Sequence, residues 1–277
     1  MSTAQADLRM SPYKVAADTF VIPWMLEAPP VGLFCMNSLV IRGREPVIVD
    51  TGSPANRGEW LENVRSVVDP VDVRWIFLSH DDRDHAGNLL AALEACPNAT
   101  LVTNWFSVGR MADEWMTPLD RCRFVNDGER FDAGDRTLTA VRPPVFDSPT
   151  TRGIFDDRTG VFWSVDTFAL PVTEPCEDCA DIADDAFTEG QLLGSRLVAA
   201  WHPWLDEQKF CSYVDEVEAM PIEVVASCHA PAMRGERIAR GFELLRRLPT
   251  TEPWQAFTQQ DLEGWLAAMA GEPPEPT

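Results

Sequence analysis

The residues predict one α/β fold in which helices cover a mixed sheet, and three observations carry that reading. Strand-like apolar runs recur along the 277 residues, each stopping in polar residues. Amphipathic helical stretches lie between them. Two neighbouring runs, MNSLVI and PVIVDTG, are separated only by the turn at Arg42–Glu45 and read as a hairpin ending at Asp50. Alternating helices and strands with interspersed hairpins favour a mixed sheet. No internal repeat is visible, and the length fits one large domain better than two small ones.

The remaining elements follow in order. GEWLENVRSVV is an amphipathic helix, and VRWIFLS is a buried strand with His80 just past its end. AGNLLAALEAC reads as the next helix, closing before Pro97, and ATLVTN as the next strand. RTLTAVRPP and GVFWSVD are two more strands with a loop between them, and IEVVASC is another, followed by His229. The last ordered piece is the helix QAFTQQDLEGWLAAMA, with Phe257, Leu262, Trp265, Leu266 and Met269 near one face. Gly271 and the PPEPT tail end it. We therefore divide the chain into a layered domain, residues 1–250, and a C-terminal helix with a disordered tail, residues 251–277.

Composition narrows the function. A hydrophobic content of 45% with ten tryptophans supports a packed core. The net charge of −21 argues against nucleic acid, whose phosphates need basic patches. MSTAQADLRM has no apolar signal core, and no apolar run approaches the roughly 18 residues of a membrane span. The expectation is a soluble cytoplasmic protein without a membrane partner. Seven cysteines without a regular framework fit reduced thiols.

Polar residues gather at the ends of strands, the edge where layered α/β folds build their sites. The densest cluster is SHDDRDHAGN, which holds two of the four histidines. Alternate residues of an extended loop point the same way, so His80, Asp82 and Asp84 can converge, with Asp84 and His85 at the start of the next helix. Neutral imidazole and ionised carboxylate are both good ligands for first-row metals. The alternative is a solvated acidic loop with helix-capping aspartates.

The H-x-D-x-D-H spacing resembles the metallo-β-lactamase fold, whose signature is H-x-H-x-D-H. It is closer to the flavodiiron and oxygen-binding di-iron branch, which has H-x-E-x-D-H; here the second carboxylate is one methylene shorter. CMNSLVIRGREPVIVDTG resembles the family's opening hairpin, and similarity extends over roughly residues 15–245. The resemblance implies a four-layer αβ/βα sandwich of two mixed sheets. It makes Asp166, in SVDTF, a bridging ligand and His229, in SCHAPAMRG, the last ligand. One departure stands out. Where the family has a histidine before the bridging aspartate, the loop PPVFDSPTT places Asp147. Asp147 is then a replacement ligand, or else it starts an Asx-turn.

The implied centre has one metal on His80, Asp82, Asp147 and Asp166, and another on Asp84, His85, Asp166 and His229. These are four carboxylates and three imidazoles without a thiolate. Such a set suits iron best, with manganese or zinc as alternatives. The resemblance implies that O2 or NO is bound, reduced or sensed, with Asp84 as a catalytic candidate. The stretch after His229 is too short for a flavodoxin-like domain, so no FMN is expected in this chain and electrons would come from an external donor protein. A homodimer is a further expectation.

Two rival functions remain at this point: a hydrolase of an ester, thioester or phosphoester on the same fold, and a non-catalytic scaffold with a degenerate site. His202, between two tryptophans in AAWHPWLDE, is a candidate proton donor or a packed aromatic-corner residue. Cys176 and Cys179 in PCEDC are redox candidates, half a zinc site, or incidental. Asp50 is expected to support a ligand rather than be one.

Overall fold

Along each central strand, alternate side chains enter different cores. In the computed structural model, which describes residues 8–270, the chain opens with β1 (Tyr13–Ala16) and β2 (Thr19–Ile22). It makes a small separate hairpin of β3 (Met25–Ala28) and β4 (Gly32–Cys35), then continues through β5 (Ser38–Ile41), β6 (Val47–Val49), β7 (Trp75–Phe77), β8 (Thr100–Thr103) and β9 (Cys122–Phe124). Apart from that hairpin, these strands form one seven-stranded sheet in the order β1-β2-β5-β6-β7-β8-β9. It is mixed: β5 and β6 run antiparallel, and β6 through β9 run parallel. The parallel steps are bridged by α1 (Arg57–Val67), by α2 (Arg83–Ala86) with α3 (Leu89–Ala95), and by α4 (Trp105–Met111).

A second sheet keeps chain order: β10 (Arg130–Asp132), β11 (Thr137–Val141), β12 (Gly153–Asp156), β13 (Val161–Trp163), β14 (Val224–Ser227) and β15 (Ala230–Arg234). Its one parallel pair, β13 with β14, is spanned by α5 (Asp184–Val198) and α6 (Glu207–Glu218). The chain continues into α7 (Glu236–Arg246) and α8 (Gln259–Ala270).

Strand alternation builds the layers. Val47 and Val49 of β6 join Val161 and Trp163 of β13 in a core between the sheets. Ile48 points the other way, onto Trp60 and Val64 of α1 and Leu89 and Leu93 of α3. Phe162 does the same on the second sheet, meeting Phe187 of α5, Val214 of α6 and Phe242 of α7. The result is helix, sheet, sheet, helix. Each fully buried Phe, Leu or Ile contributes on the order of 1.5–3 kcal/mol.

The residues alone suggested one mixed sheet; the described residues form two large mixed sheets, as the resemblance implied, besides the β3–β4 hairpin. AGNLLAALEAC is not one helix, because α2 ends at Ala86 and α3 begins at Leu89. Gly87 sits at the break, where a Cβ would lie 2.3 Å from Pro54 Cδ and 2.4 Å from the Arg83 carbonyl oxygen. The C-terminal helix starts at Gln259, later than the spacing suggested, and Phe257, Leu262, Trp265, Leu266 and Met269 are all exposed. Gly271 and the PPEPT tail lie outside the described residues. Among the described residues, no helix is long and apolar enough to cross a membrane.

Candidate metal centre

The centre forms where strand ends of the two sheets meet. After β7, Leu78 still donates to the Val102 carbonyl at 2.9 Å, and from Ser79 the chain leaves the ladder and carries His80 to the rim, buried. After β6, Asp50 adopts a left-handed backbone with φ of 59°. Its carboxylate is fully engaged. Oδ1 accepts the Ser79 amide at 2.8 Å, and Oδ2 accepts Ser79 Oγ at 2.8 Å, Trp163 Nε1 at 2.9 Å and His85 Nδ1 at 2.9 Å. Asp50 therefore fixes the His85 ring with Nε2 aimed into the centre. His229 is fixed in the same way, its Nδ1 donating to the Cys35 carbonyl at 3.0 Å. Such partners orient a ligating imidazole and raise its basicity.

Asp166 follows β13 in a strained turn. Val165 has φ of 58° and Phe168 has φ of 71°, and a β-branched residue there is a genuine outlier. Strain of this kind costs on the order of 1–3 kcal/mol and persists where surrounding structure enforces it. Here the enforcers are Ser227 Oγ on the Val165 carbonyl at 2.8 Å and Thr167 Oγ1 on the Val145 carbonyl at 2.6 Å. The second bond also ties the Asp166 turn to the loop that carries Asp147.

Seven of the expected ligands converge. His85 Nε2 lies 3.0 Å from Asp166 Oδ1 and 3.5 Å from Asp84 Oδ2. His229 Nε2 lies 3.3 Å from each of those oxygens. On the other side, His80 Nε2 lies 3.5 Å from Asp82 Oδ2, 3.8 Å from Asp147 Oδ1 and 3.9 Å from Asp166 Oδ2. Despite this crowding, His85 Nε2 and both oxygens of Asp166 are buried without any hydrogen bond. Buried polar atoms are otherwise almost always paired. Lone pairs from imidazole and carboxylate facing one empty point are what a cation would satisfy, so the residues present fit a metal.

Electrostatics agree. Burial alone would raise the Asp166 carboxyl, but the imidazoles of His80, His85 and His229 hold it well below the ordinary range. Burial would lower His85, and Cys228 with the carboxylates of Asp84, Asp50 and Asp166 instead holds it well above its usual value. Both shifts have one cause, imidazoles and carboxylates packed close together in a buried pocket that favours positive charge. Asp84 is likewise held low against its burial, by His85 and His229, which suits a ligand better than a proton donor. Asp147 differs. Burial and then the Asp166 charge push it up to about 6, although its side chain is 48% exposed and water offsets part of that. No described hydrogen bond reaches Asp147, so it does not start an Asx-turn.

Other expected residues lie elsewhere. His202, in a 3-10 turn at His202–Trp204, is buried against the Leu248–Thr250 turn and joins no ligand cluster. Its neighbour Trp201 does reach the centre's wall, donating to the Phe146 carbonyl beside Asp147 at 2.8 Å. Cys176 and Cys179 are free thiols apart from the ligand clusters. Burial, then nearby carboxylates, push Cys176 up to about 11, which leaves it protonated and poorly nucleophilic at neutral pH.

Some residues escaped the sequence reading. Asp81 points away from the ligands, accepting from Arg110 Nε at 2.5 Å and from Thr150 Oγ1 at 2.8 Å, and so clamps the His80 loop to the Asp147 loop. Asn88 Nδ2 donates to the carbonyls of Thr51 at 2.7 Å and Ser53 at 2.9 Å, locking the loop after β6. Cys228 brings a thiol within reach of Asp84, His85 and His229, where no thiolate was expected. A cleft of about 590 Å³, lined by Arg57, Asp82, Arg83, Arg110 and Glu114 among others, opens beside Asp82.

Residues 33–230 match the family model described as ODP family beta lactamase. The chain belongs to that family. Among relatives of the ODP-family chain, "Putative diflavin flavoprotein A 1" of Nostoc is 29% identical over 202 residues, covering 72% of this chain and 33% of the relative. The anaerobic nitric oxide reductase flavorubredoxin of Salmonella typhi is 26% identical over 133 residues, covering 48% and 28%. The chain thus spans about a third or less of either relative. The solved rubredoxin oxygen:oxidoreductase of Desulfovibrio gigas superposes with a TM-score of 0.76 at 18% identity, covering 88% of this chain and 63% of that one. That likeness shows the shared metallo-β-lactamase-like core.

Proposed function

We propose that this chain holds a di-iron centre that binds and reduces, or senses, O2 or NO with electrons from an external donor. The observation that carries it is the unsatisfied, buried meeting of His85 Nε2 with both oxygens of Asp166, ringed by three further carboxylates and two further imidazoles. His80, Asp82, Asp147 and Asp166 would hold one metal, and Asp84, His85, Asp166 and His229 the other. A carboxylate-rich set suits iron or manganese over structural zinc. Iron, when bound, would pass the donor's electrons to a small diatomic ligand. The chain's own residues position and shield. Asp50 and the Cys35 carbonyl hold the imidazole tautomers, Trp163 closes the floor, and the Asp82-side cleft admits a small molecule. The names of the relatives, a nitric oxide reductase and a rubredoxin oxygen:oxidoreductase, support this chemistry and an external donor.

The test is anaerobic reconstitution with ferrous iron, followed by metal analysis and by O2 and NO binding or consumption with an artificial reductant. Two irons per chain and a spectral response to either gas support the reading. A colourless zinc protein that cleaves a chromogenic ester would replace it with the hydrolase.

A further inference from the structure

The face of the centre made by Asp84, His85 and His229 contains a thiol that neither the sequence motif nor the family resemblance called for. Ligand atoms of Asp84, His85 and His229 and the Sγ of Cys228 all lie within 4.8 Å of one another. Cys228 is 0% exposed. Metal–sulfur and metal–nitrogen bonds run about 2.3 and 2.0–2.1 Å, so two donors on one ion lie at most about 4.4 Å apart. Four donors spread around one ion lie roughly 3.3–3.6 Å apart, so the widest pair would draw in by about 1 Å as the metal enters.

The backbone around Cys228 is fixed on both sides. Its amide donates to the Val165 carbonyl at 2.9 Å, which ties it to the strained turn before Asp166. Ser227 Oγ donates to the same carbonyl and accepts the His229 amide at 3.2 Å. The backbone that carries the thiol is therefore held in place beside the ligands. Cys179, also buried, contrasts with it: its Sγ rests against the Pro231 carbonyl at 3.4 Å and belongs to no ligand cluster.

We propose that Cys228 Sγ is a direct ligand of the second metal, beside Asp84, His85, Asp166 and His229. The proposal rests on the dinuclear reading above and deepens it. On metal entry a metal–sulfur bond forms, the S–H bond breaks, and the proton leaves to solvent. A thiolate among hard carboxylates biases this position toward ferrous iron, cobalt or zinc and against manganese. The two metal positions then differ in kind, one all oxygen and nitrogen, the other with sulfur.

Cobalt(II) is the probe, because thiolate ligation gives it a sulfur-to-metal charge-transfer band in the near ultraviolet. The metal-free full chain is loaded anaerobically and followed by absorption and by cobalt content. Wild type should take up two cobalts per chain and show the band. Cys228→Ser and Cys228→Ala should lose the band, keep the first cobalt, and bind the second about tenfold or more weakly, since losing a ligand should cost at least as much as losing a ligand's partner. Cys35→Ser should keep the band. Two cobalts in wild type without the band would overturn thiolate ligation and leave the dinuclear centre standing. A band that persists in Cys228→Ser would likewise overturn it. No cobalt uptake at all would overturn both.

Discussion

On one side of Asp166, His85 is buried, His229 is 12% and Asp84 30% exposed, and each imidazole is pinned through Nδ1, by the Asp50 carboxylate and by the Cys35 carbonyl. On the other side only His80 is buried, and its partners Asp82 and Asp147 are 36% and 48% exposed on loops. Its Nδ1 lies 3.1 Å from Ser79 Oγ. The first arrangement is built into strand ends and the inter-sheet core. The second hangs on loops clamped at their edges by Asp81 and Trp201. A preorganised set loses less freedom on binding a metal than a loop set does. The buried half should therefore hold its metal more tightly than the exposed half.

The largest expected effect breaks both halves together. Asp166→Ala should lose most of both metals, read as metal per chain after reconstitution. Wild-type content in that variant would show that Asp166 is not shared. Next is Asp50→Asn, which frees the His85 ring while leaving its ligand atom in place. Metal affinity in the buried half should fall about ten- to a hundredfold, with a smaller loss on the His80 side, which Asp50 reaches only through Ser79. Equal losses on both sides would contradict the division.

Asp147→Ala should do the opposite, weakening only the exposed half by a similar factor or more. Asp147→His should restore occupancy and raise the reduction potential, because an anionic ligand is replaced by a neutral one. Full occupancy and an unchanged potential in Asp147→Ala would mean that His80, Asp82 and Asp166 suffice.

A smaller effect concerns the metal-free chain. Asp147 titrates near 6 against an ordinary 3.8, so the folded state binds the extra proton. The stability this provides is full below about pH 3.8 and is lost as pH rises through 6. Asp147→Asn should flatten the fall in thermal stability across that window relative to wild type. An unchanged pH profile would show that water screens the group fully.

Much of this division was legible in the residues. The H-x-D-x-D-H spacing, SVDTF and SCHAP point to seven side chains that do converge, and alternation within VIV and VFW sorts the cores. What was hidden depends on backbone direction. Cys228 follows a buried strand and does lie in the core between the sheets, and that core runs up to the imidazoles, so its thiol also comes within 4.8 Å of ligand atoms of Asp84, His85 and His229. Asp81 looks like another ligand in the motif and faces the opposite way, to Arg110 and Thr150. His202 has the aromatic neighbours of a pocket residue, but its turn lies beside the Leu248–Thr250 turn and it joins no ligand cluster. The apolar face of α8 follows helical spacing, which cannot show whether another element covers it.

The most direct measurement is a chelator titration of the iron-loaded chain, with iron per chain followed throughout. Two irons should leave in two separate steps, and Asp147→Ala should remove the early step alone. Fewer than two irons at the start, or a single step that Asp147→Ala leaves unchanged, would contradict a shared centre with one buried and one exposed half.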